Sequence, residues 1–170
     1  PSGNPLFMNR GDGTFSEESD LRGVGSHATG WGTHFFDFDN DADLDLYVCN
    51  MSDGYGLNRL YRTVDGIEMQ DVGALSGAQC MGDSYALAVG DVDDDGDLDM
   101  FVQNHEHMIQ LLINNEGHRR NWVRFELRGA DMNRNAIGSR MRGVVGSMTL
   151  IRDVMAGRSY KSGMDEREHF

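Results

Sequence analysis

The sequence predicts an all-β fold that is assembled from short, repeated strands. The chain has 170 residues, of which 22 are glycine and 2 are proline, and this suits tight turns between short strands better than long helices. Two strand-like runs, LDLYVCN at 44–50 and LDMFVQN at 98–104, each follow a loop rich in aspartate. Because the same loop and strand occur twice, the chain is predicted to contain an internal repeat.

The acidic residues are concentrated in the two loops. Of the 28 acidic residues, 11 lie in DFDNDADLD at 37–45 and DVDDDGDLD at 91–99. Like charges this close repel one another by about 1 kcal/mol each even near the surface. A solvated acidic loop is the simpler interpretation, but it explains neither the shared alternating spacing nor the apolar strand that follows both loops. The spacing therefore predicts that each loop wraps a cation.

Calcium fits this spacing best, because it takes roughly six to eight oxygen ligands from carboxylates and carbonyl groups. Magnesium wants fewer protein ligands, zinc prefers Cys and His, and an EF-hand has a longer loop flanked by helices. We therefore expect about two Ca²⁺ ions. The predicted ligands are Asp37, Asp39, Asp41, the carbonyl of Asp43, and Asp45 in the first loop, and Asp91, Asp93, Asp95, the carbonyl of Asp97, and Asp99 in the second.

The two loops differ at one turn position. Gly96 in the second loop accepts a positive φ without penalty, whereas the first loop has Ala42 there. The same conformation costs alanine roughly 1 kcal/mol. We therefore expect the first site to bind its ion more weakly than the second.

Each repeat unit reads as four short strands. The interval from Asp37 to Asp91 equals the interval from Asn4 to Asn58, which begin NPLF and NRLY. In each unit one strand enters the loop and a second leaves it. The N-x-L-[FY] motif, a turn and a fourth short strand follow. A third unit is expected to start near 108–112. Four short strands per repeat are typical of a β-propeller blade. Since two complete blades do not close a ring, we expect a part of a larger propeller, or one completed by other chains.

Two stretches resemble known families. The pattern LF-x-N-x-GDGTF, then G-W-G and F-DFDND-x-DLDLYV-x-N, resembles the FG-GAP/VCBS-type repeats of integrin-like propellers. The stretch NWVRFELRG…NRNAIGSR…RDVMAGRSYKSG…HF at 121–170 resembles the ASPIC/UnbV domain. Together they are similar to the cartilage acidic protein family and its bacterial relatives. The resemblance implies FG-GAP/VCBS repeats over 1–118, a truncated β-rich ASPIC/UnbV-like domain over 119–170, and calcium on the aspartates of both loops.

The last third of the chain carries the opposite charge. Eleven of the 15 basic residues lie at 119–167, and the runs 122–127 and 148–154 favour strands. This basic segment either docks on the acidic repeats or offers a surface to an acidic partner. A third interpretation is a set of ordinary surface ion pairs, worth under ~1 kcal/mol each.

Other motifs point less clearly to function. No nucleophile elbow, phosphate loop or dinucleotide fingerprint is present, and Arg10-Gly11-Asp12 reads as a turn. His105-Glu106-His107 offers two imidazoles on one strand face, so a metal-dependent enzyme is the weakest of our hypotheses. Cys49 and Cys80 either form a disulfide that closes a loop of about 30 residues or remain as two buried thiols.

Charge and calcium together predict the class of function. A formal net charge of −13 argues against nucleic acid or an anionic membrane as partner, and no apolar run approaches the ~20 residues of a membrane helix. Extracellular calcium is concentrated enough to fill weak sites, so we expect a secreted, extracellular or periplasmic protein. The first hypothesis is a non-catalytic, calcium-stabilised module for binding or assembly that recognises protein or glycan. The alternative is an accessory region or subunit of a secreted hydrolase or oxidoreductase, with the chemistry outside these residues.

Overall fold

The computed structural model describes residues 3–51, 56–80, 82–105, 108–130 and 132–170, and almost all regular structure in them is β. The helical elements of these ranges are α1 (Gly73–Ser76) and a 3₁₀ turn at Gly117–Arg119. The strands are β1 (Phe7–Asn9), β2 (Phe15–Glu17), β3 (Thr29–Phe36), β4 (Asp45–Met51), β5 (Arg59–Val64), β6 (Glu68–Asp71), β7 (Asp83–Gly90), β8 (Asp99–His105), β9 (Gln110–Leu112), β10 (Arg124–Phe125), β11 (Arg140–Val145), β12 (Met148–Asp153) and β13 (Glu168–His169). The all-β prediction is confirmed.

The strand order reproduces the two repeat units that the sequence predicts, whereas residues 110–112, where a third unit is expected to start, form the third strand of the second sheet. Strands β3-β4-β5-β6 form one antiparallel sheet, and β7-β8-β9 repeat its first three strands. The bounds of β3 and β7, and those of β4 and β8, are offset by the interval that separates Asp37 from Asp91. The β1-β2 hairpin follows Asn4 in the same way that the β5-β6 hairpin follows Asn58, so the two hairpins are equivalent parts of successive repeat units. The described sheets do not form a closed ring.

The four-stranded sheet is covered on both faces, and this places the core. On one face Phe36, Tyr47 and Leu60 pack with residues of the β7-β8-β9 sheet, including Leu87 and Val102. The other face holds a second cluster of buried residues, which consists of Val24, Leu46, Val48, Tyr61 and Met69. Leu6 packs against this cluster, so the region around β1 and β2 helps to cover this face. Strand β4 is buried from Asp45 to Asn50, as expected for a strand between two packed layers.

The two cysteines lie in the first of these clusters. Cys49 and Cys80 are buried free thiols, so the structure agrees with the second of the two alternatives. The Tyr47 hydroxyl donates to the carbonyl of Ala78 at 2.8 Å and contacts Cys80 Sγ at 3.5 Å. Burial raises the pKa of the Cys49 thiol to about 12, so this thiol stays protonated at neutral pH.

Asparagines at equivalent repeat positions link successive sheets. Asn4 Oδ1 accepts a hydrogen bond from Gly30 N at 3.0 Å, and its Nδ2 donates to Asn50 Oδ1 at 3.2 Å. Asn58, the equivalent residue of the next unit, donates to Ser84 Oγ at 2.8 Å on the following sheet. The asparagine of the N-x-L-[FY] motif therefore fixes one unit against its neighbour.

The end of the chain returns to the repeats as two short sheets. Strand β10 pairs with β13, and β11 forms a hairpin with β12. The predicted strand at 148–154 is confirmed as β12. Of the run 122–127, Arg124–Phe125 form β10, and Val123 extends the pairing through two backbone hydrogen bonds with Phe170. Arg10-Gly11-Asp12 lies in the β1-β2 turn, as predicted. No helix in the described ranges is long and apolar enough to cross a membrane.

Buried His34 on β3 predicts a stability that depends on pH. Burial, aided by the charge of Arg158, lowers the pKa of His34 from 6.5 to about 4, so the ring stays neutral in the folded state. In the unfolded chain His34 takes up a proton near pH 6.5. The contribution of the buried, neutral ring to the free energy of unfolding is therefore lost as the pH falls from about 6.5 to 4. Relative to His34→Phe, the wild-type free energy of unfolding should drop by about 2–3 kcal/mol over that range. Urea titrations at several pH values measure it.

His27→Gln serves as the control, because His27 is exposed. The explanation fails if the difference between wild type and His34→Phe does not change with pH.

Candidate metal centre

The two acidic loops lie at the same end of neighbouring sheets. The first joins β3 to β4 and the second joins β7 to β8, directly after the pairs Phe36↔Asp45 and Gly90↔Asp99. Because the entering and leaving strands are paired up to these residues, each loop must bring its carboxylates into a small volume.

The first aspartate of each loop holds the turn in the same way. Asp37 accepts hydrogen bonds from the backbone N–H groups of Asp41 at 2.9 Å and Ala42 at 2.8 Å. In the second loop, Asp91 accepts from Asp95 at 3.2 Å and from the next residue at 3.1 Å. Both loops therefore fold alike from their first ligand position.

The turn position that differs between the loops has the same backbone conformation in both. Ala42 has φ = 76° and Gly96 has φ = 92°, and the residues two positions earlier, Asn40 and Asp94, also have positive φ. The left-handed region is open to glycine and strained for alanine. The expected difference in strain between the loops is therefore present.

The last aspartate of each loop ties it to the sheet. The carboxylate of Asp45 accepts from Phe38 N at 3.0 Å and from Thr63 N on β5 at 2.8 Å. Asp99 accepts from Val92 N at 2.9 Å and from Asn114 N at 2.8 Å. Asp45 and Asp99 are almost fully buried, so their hydrogen bonds fix each loop to the sheet in the interior of the protein.

The structure brings most of the predicted side chains together in groups of three. One ligand atom from each member of a group lies within 4.8 Å of the others. The groups are Asp37, Asp39 and Asp41; Asp91, Asp93 and Asp99; and Asp95, Asp97 and His118. Asp43 and Asp45 lie outside the first group. The Asp43 carboxylate accepts a hydrogen bond from Gly66 N at 3.1 Å. The predicted ligand of Asp43 is its backbone carbonyl and not this carboxylate.

His118 is a site residue that sequence reasoning did not find. Its Nδ1 lies 3.2 Å from Oδ2 of Asp97, a residue with no exposed surface. Asp97 Oδ1 is buried without a hydrogen-bond partner among the described residues. No spacing in the sequence signals His118, which joins the loop from well beyond its last aspartate. Of the His105-Glu106-His107 motif, 106 and 107 lie outside the described residues.

Burial makes these carboxylates costly to ionise. It raises the pKa of Asp37 to about 6 and that of Asp45 to about 7, and it also raises the pKa of Asp97 and Asp99. Clustered carboxylates in such surroundings need a positive charge or a proton to balance them. The hard oxygen donors and the unpartnered Asp97 Oδ1 fit a cation such as Ca²⁺.

Arginines provide part of that positive charge. Arg62 on β5 and Arg120 contact Asp39 and Asp41 of the first loop. At the second loop, Arg124 Nη1 lies 2.6 Å from Asp91 Oδ2, while Arg124 Nη2 lies 2.7 Å from Asp94 Oδ1. Arg167 Nη1 is 3.6 Å from the same Asp94 atom.

Except for Arg62, these arginines belong to the basic C-terminal segment. Of the three interpretations of that segment, the structure therefore supports docking within the molecule.

The two loops also touch each other. Asn40 of the first loop donates from Nδ2 to the carbonyl of Gly96 at 3.0 Å, and Asn40 Oδ1 lies 2.7 Å from His169 Nε2. The Trp122 ring stacks on His169, with centroids 5.8 Å apart, and also lies against Gly96. One amide side chain thus joins both loops to the last strand.

One comparison with known proteins finds a similarity in the first part of the chain. Residues 1–48 match the FG-GAP-like repeat family. The match covers strands β1 to β3 and the whole first acidic loop, and ends within β4. No curated protein matches the chain. The resemblance of 121–170 to the ASPIC/UnbV domain stays a prediction.

The positive φ of Ala42 leads to a stability prediction. Ala42→Gly removes the left-handed strain but adds chain entropy to the unfolded state, so the free energy of unfolding should rise by about 0.5–1 kcal/mol. Gly96→Ala should lower it by about 3 kcal/mol, because a Cβ there would lie 1.9 Å from the Trp122 ring and add the same strain. Urea unfolding in the presence of EDTA measures both.

Gly77→Ala is the control for backbone strain alone. Gly77 also has positive φ (77°), but a Cβ there meets no atom within 4 Å. Equal losses in Gly96→Ala and Gly77→Ala would contradict the role given to Trp122.

Proposed function

We propose that this protein is a calcium-stabilised, non-catalytic scaffold for protein or glycan recognition, built from propeller-type blades that belong to a larger assembly. The observation that carries the proposal is the pair of matching aspartate loops on adjacent sheets, with buried carboxylates of raised pKa. The resemblance of the C-terminal segment to the ASPIC/UnbV domain and the expected extracellular or periplasmic location belong to the same proposal.

The ion's role follows from where the loop aspartates stand. Asp37 follows the entering strand and Asp45 begins the leaving strand, and Asp39 and Asp41 lie between them. Bound calcium would supply two positive charges to oxygens that otherwise repel one another. The chain itself orients the ligands, because backbone N–H groups donate hydrogen bonds to the carboxylates of Asp37 and Asp45.

An exposed aromatic cluster supports the recognition role. Trp31, near the start of β3, lies 5.1 Å from the ring of Tyr85 and 5.2 Å from that of Tyr160. Trp31 and Tyr160 remain 38% and 40% exposed. Large rings that are partly exposed are the residues that binding surfaces use most. The loops lie at the other end of β3, so an ion there would stiffen the sheet without covering the cluster.

Thermal unfolding with calcium and with EDTA tests the proposal. With free calcium about 100-fold above Kd, one site adds about 2.7 kcal/mol to the free energy of unfolding, so Tm should rise by several degrees. Titration calorimetry should show binding at two sites of unequal affinity. Magnesium at the same concentration should give a smaller shift, because it fits a loop of this size less well.

Paired substitutions make the test specific. Asp93→Asn with Asp95→Asn should abolish the tighter site, whereas Asp12→Asn in the exposed β1-β2 turn should leave both sites intact. A Tm that is identical in calcium and EDTA, with no heat of binding, would rule out the calcium role.

A further inference from the structure

The first loop is covered by two arginines that come from different parts of the chain. Arg62 Nη2 lies 2.8 Å from Asp39 Oδ2 and 3.5 Å from Asp41 Oδ2. Arg120 Nη1 lies 3.4 Å from Asp39 Oδ1 and 3.4 Å from Asp41 Oδ2. Both oxygens of Asp39 and one oxygen of Asp41 therefore face a guanidinium group.

The second loop has no such cover at the equivalent positions. In the described part of the chain, neither Asp93 nor Asp95 forms an ion pair, and both are exposed, whereas Asp39 is buried and Asp41 half-buried. The arginines at this loop contact Asp91 and Asp94 instead.

The strand pairing shows how the difference arises. On β5, Tyr61 pairs with Leu46, and on β9 Leu112 pairs with the equivalent Met100. The residue that follows is Arg62 in the first unit and Ile113 in the second. The same place in the sheet thus holds a cation in one unit and an apolar side chain in the other.

An arginine and a divalent ion compete for the same carboxylate oxygens. Two guanidinium groups together carry the charge of one divalent cation, so they reduce the repulsion among Asp37, Asp39 and Asp41. They also repel an incoming ion, and they occupy one acceptor site on each oxygen of Asp39.

We propose that Arg62 and Arg120 set the cation affinity of the first loop, a proposal that rests on the calcium role above. The two arginines stabilise the first loop at low calcium and weaken its binding of the ion, while in the second loop Arg124 balances Asp91 and Asp94 and leaves Asp93 and Asp95 to the ion. They act on charge, and so differ from Ala42, which acts on backbone strain. Added salt screens the arginine effect and leaves the Ala42 effect unchanged.

The test isolates the first loop and removes the arginines one at a time. In a background of Asp93→Asn and Asp95→Asn, calcium titrations compare Arg62→Met, Arg120→Met and the double variant. Each single substitution should tighten binding by about three- to tenfold, and less in 0.5 M KCl (roughly a 4 Å Debye length). Arg59→Met is the matched control: it lies on the same strand, but its partner is Asp71, and binding should not change.

A measurement without metal provides a second readout. In EDTA, the double variant should have a lower Tm than Arg59→Met, and calcium should restore it. Arg62→Lys and Arg120→Lys keep the charge and should bind calcium within about twofold of the background protein. If the double variant folds only when calcium is added, that result supports the proposal as well.

Two results would overturn the inference, and they differ from each other. Unchanged or weaker calcium binding in folded Arg62→Met and Arg120→Met variants removes the arginine role alone. No calcium binding by the wild-type protein at either loop removes the calcium role and the arginine role together.

Discussion

Repulsion among aspartates that paired strands force together is the constraint on which the rest of this structure depends. The hairpin geometry fixes the distance between the entering and the leaving strand, so the loop cannot open to separate its charges. Backbone N–H groups balance part of the charge, since Asp37, Asp45, Asp91 and Asp99 each accept two of them. What they leave unbalanced has to be met by a proton or by cations from outside the loop.

The C-terminal segment can be understood as one answer to that constraint. Arg120 and Arg124 extend from it to the two loops, while Arg152 donates from Nε to the carbonyl of His169 and so holds the last strand in place. A segment that carries most of the chain's basic residues thus packs on the part that carries most of its clustered acid. The arrangement makes folding of the repeats and docking of the segment energetically dependent on each other.

Local sequence predicted the repeats well because their information is local. The alternation of aspartates and the constant interval between the units were enough to place β3, β4, β7 and β8, and Ala42 adopts the strained turn that its position required. The covering residues were not predictable in this way. Arg62 and Arg120 are both distant from Asp41 in the sequence, and only strand pairing and the return of the chain bring them to it. The basic composition of the last third predicted docking as one of three alternatives, without its residues.

The place of Trp122 has a consequence for how the two units can diverge. In the first loop the turn residue tolerates a side chain, so exchange between alanine and glycine stays open to mutation in both directions. In the second loop the Trp122 indole fills the space beside Gly96. A larger residue than glycine fits there only if Trp122 is also replaced. The equivalent turn position therefore accepts a side chain in the first loop and is restricted to glycine in the second by a residue of the C-terminal segment.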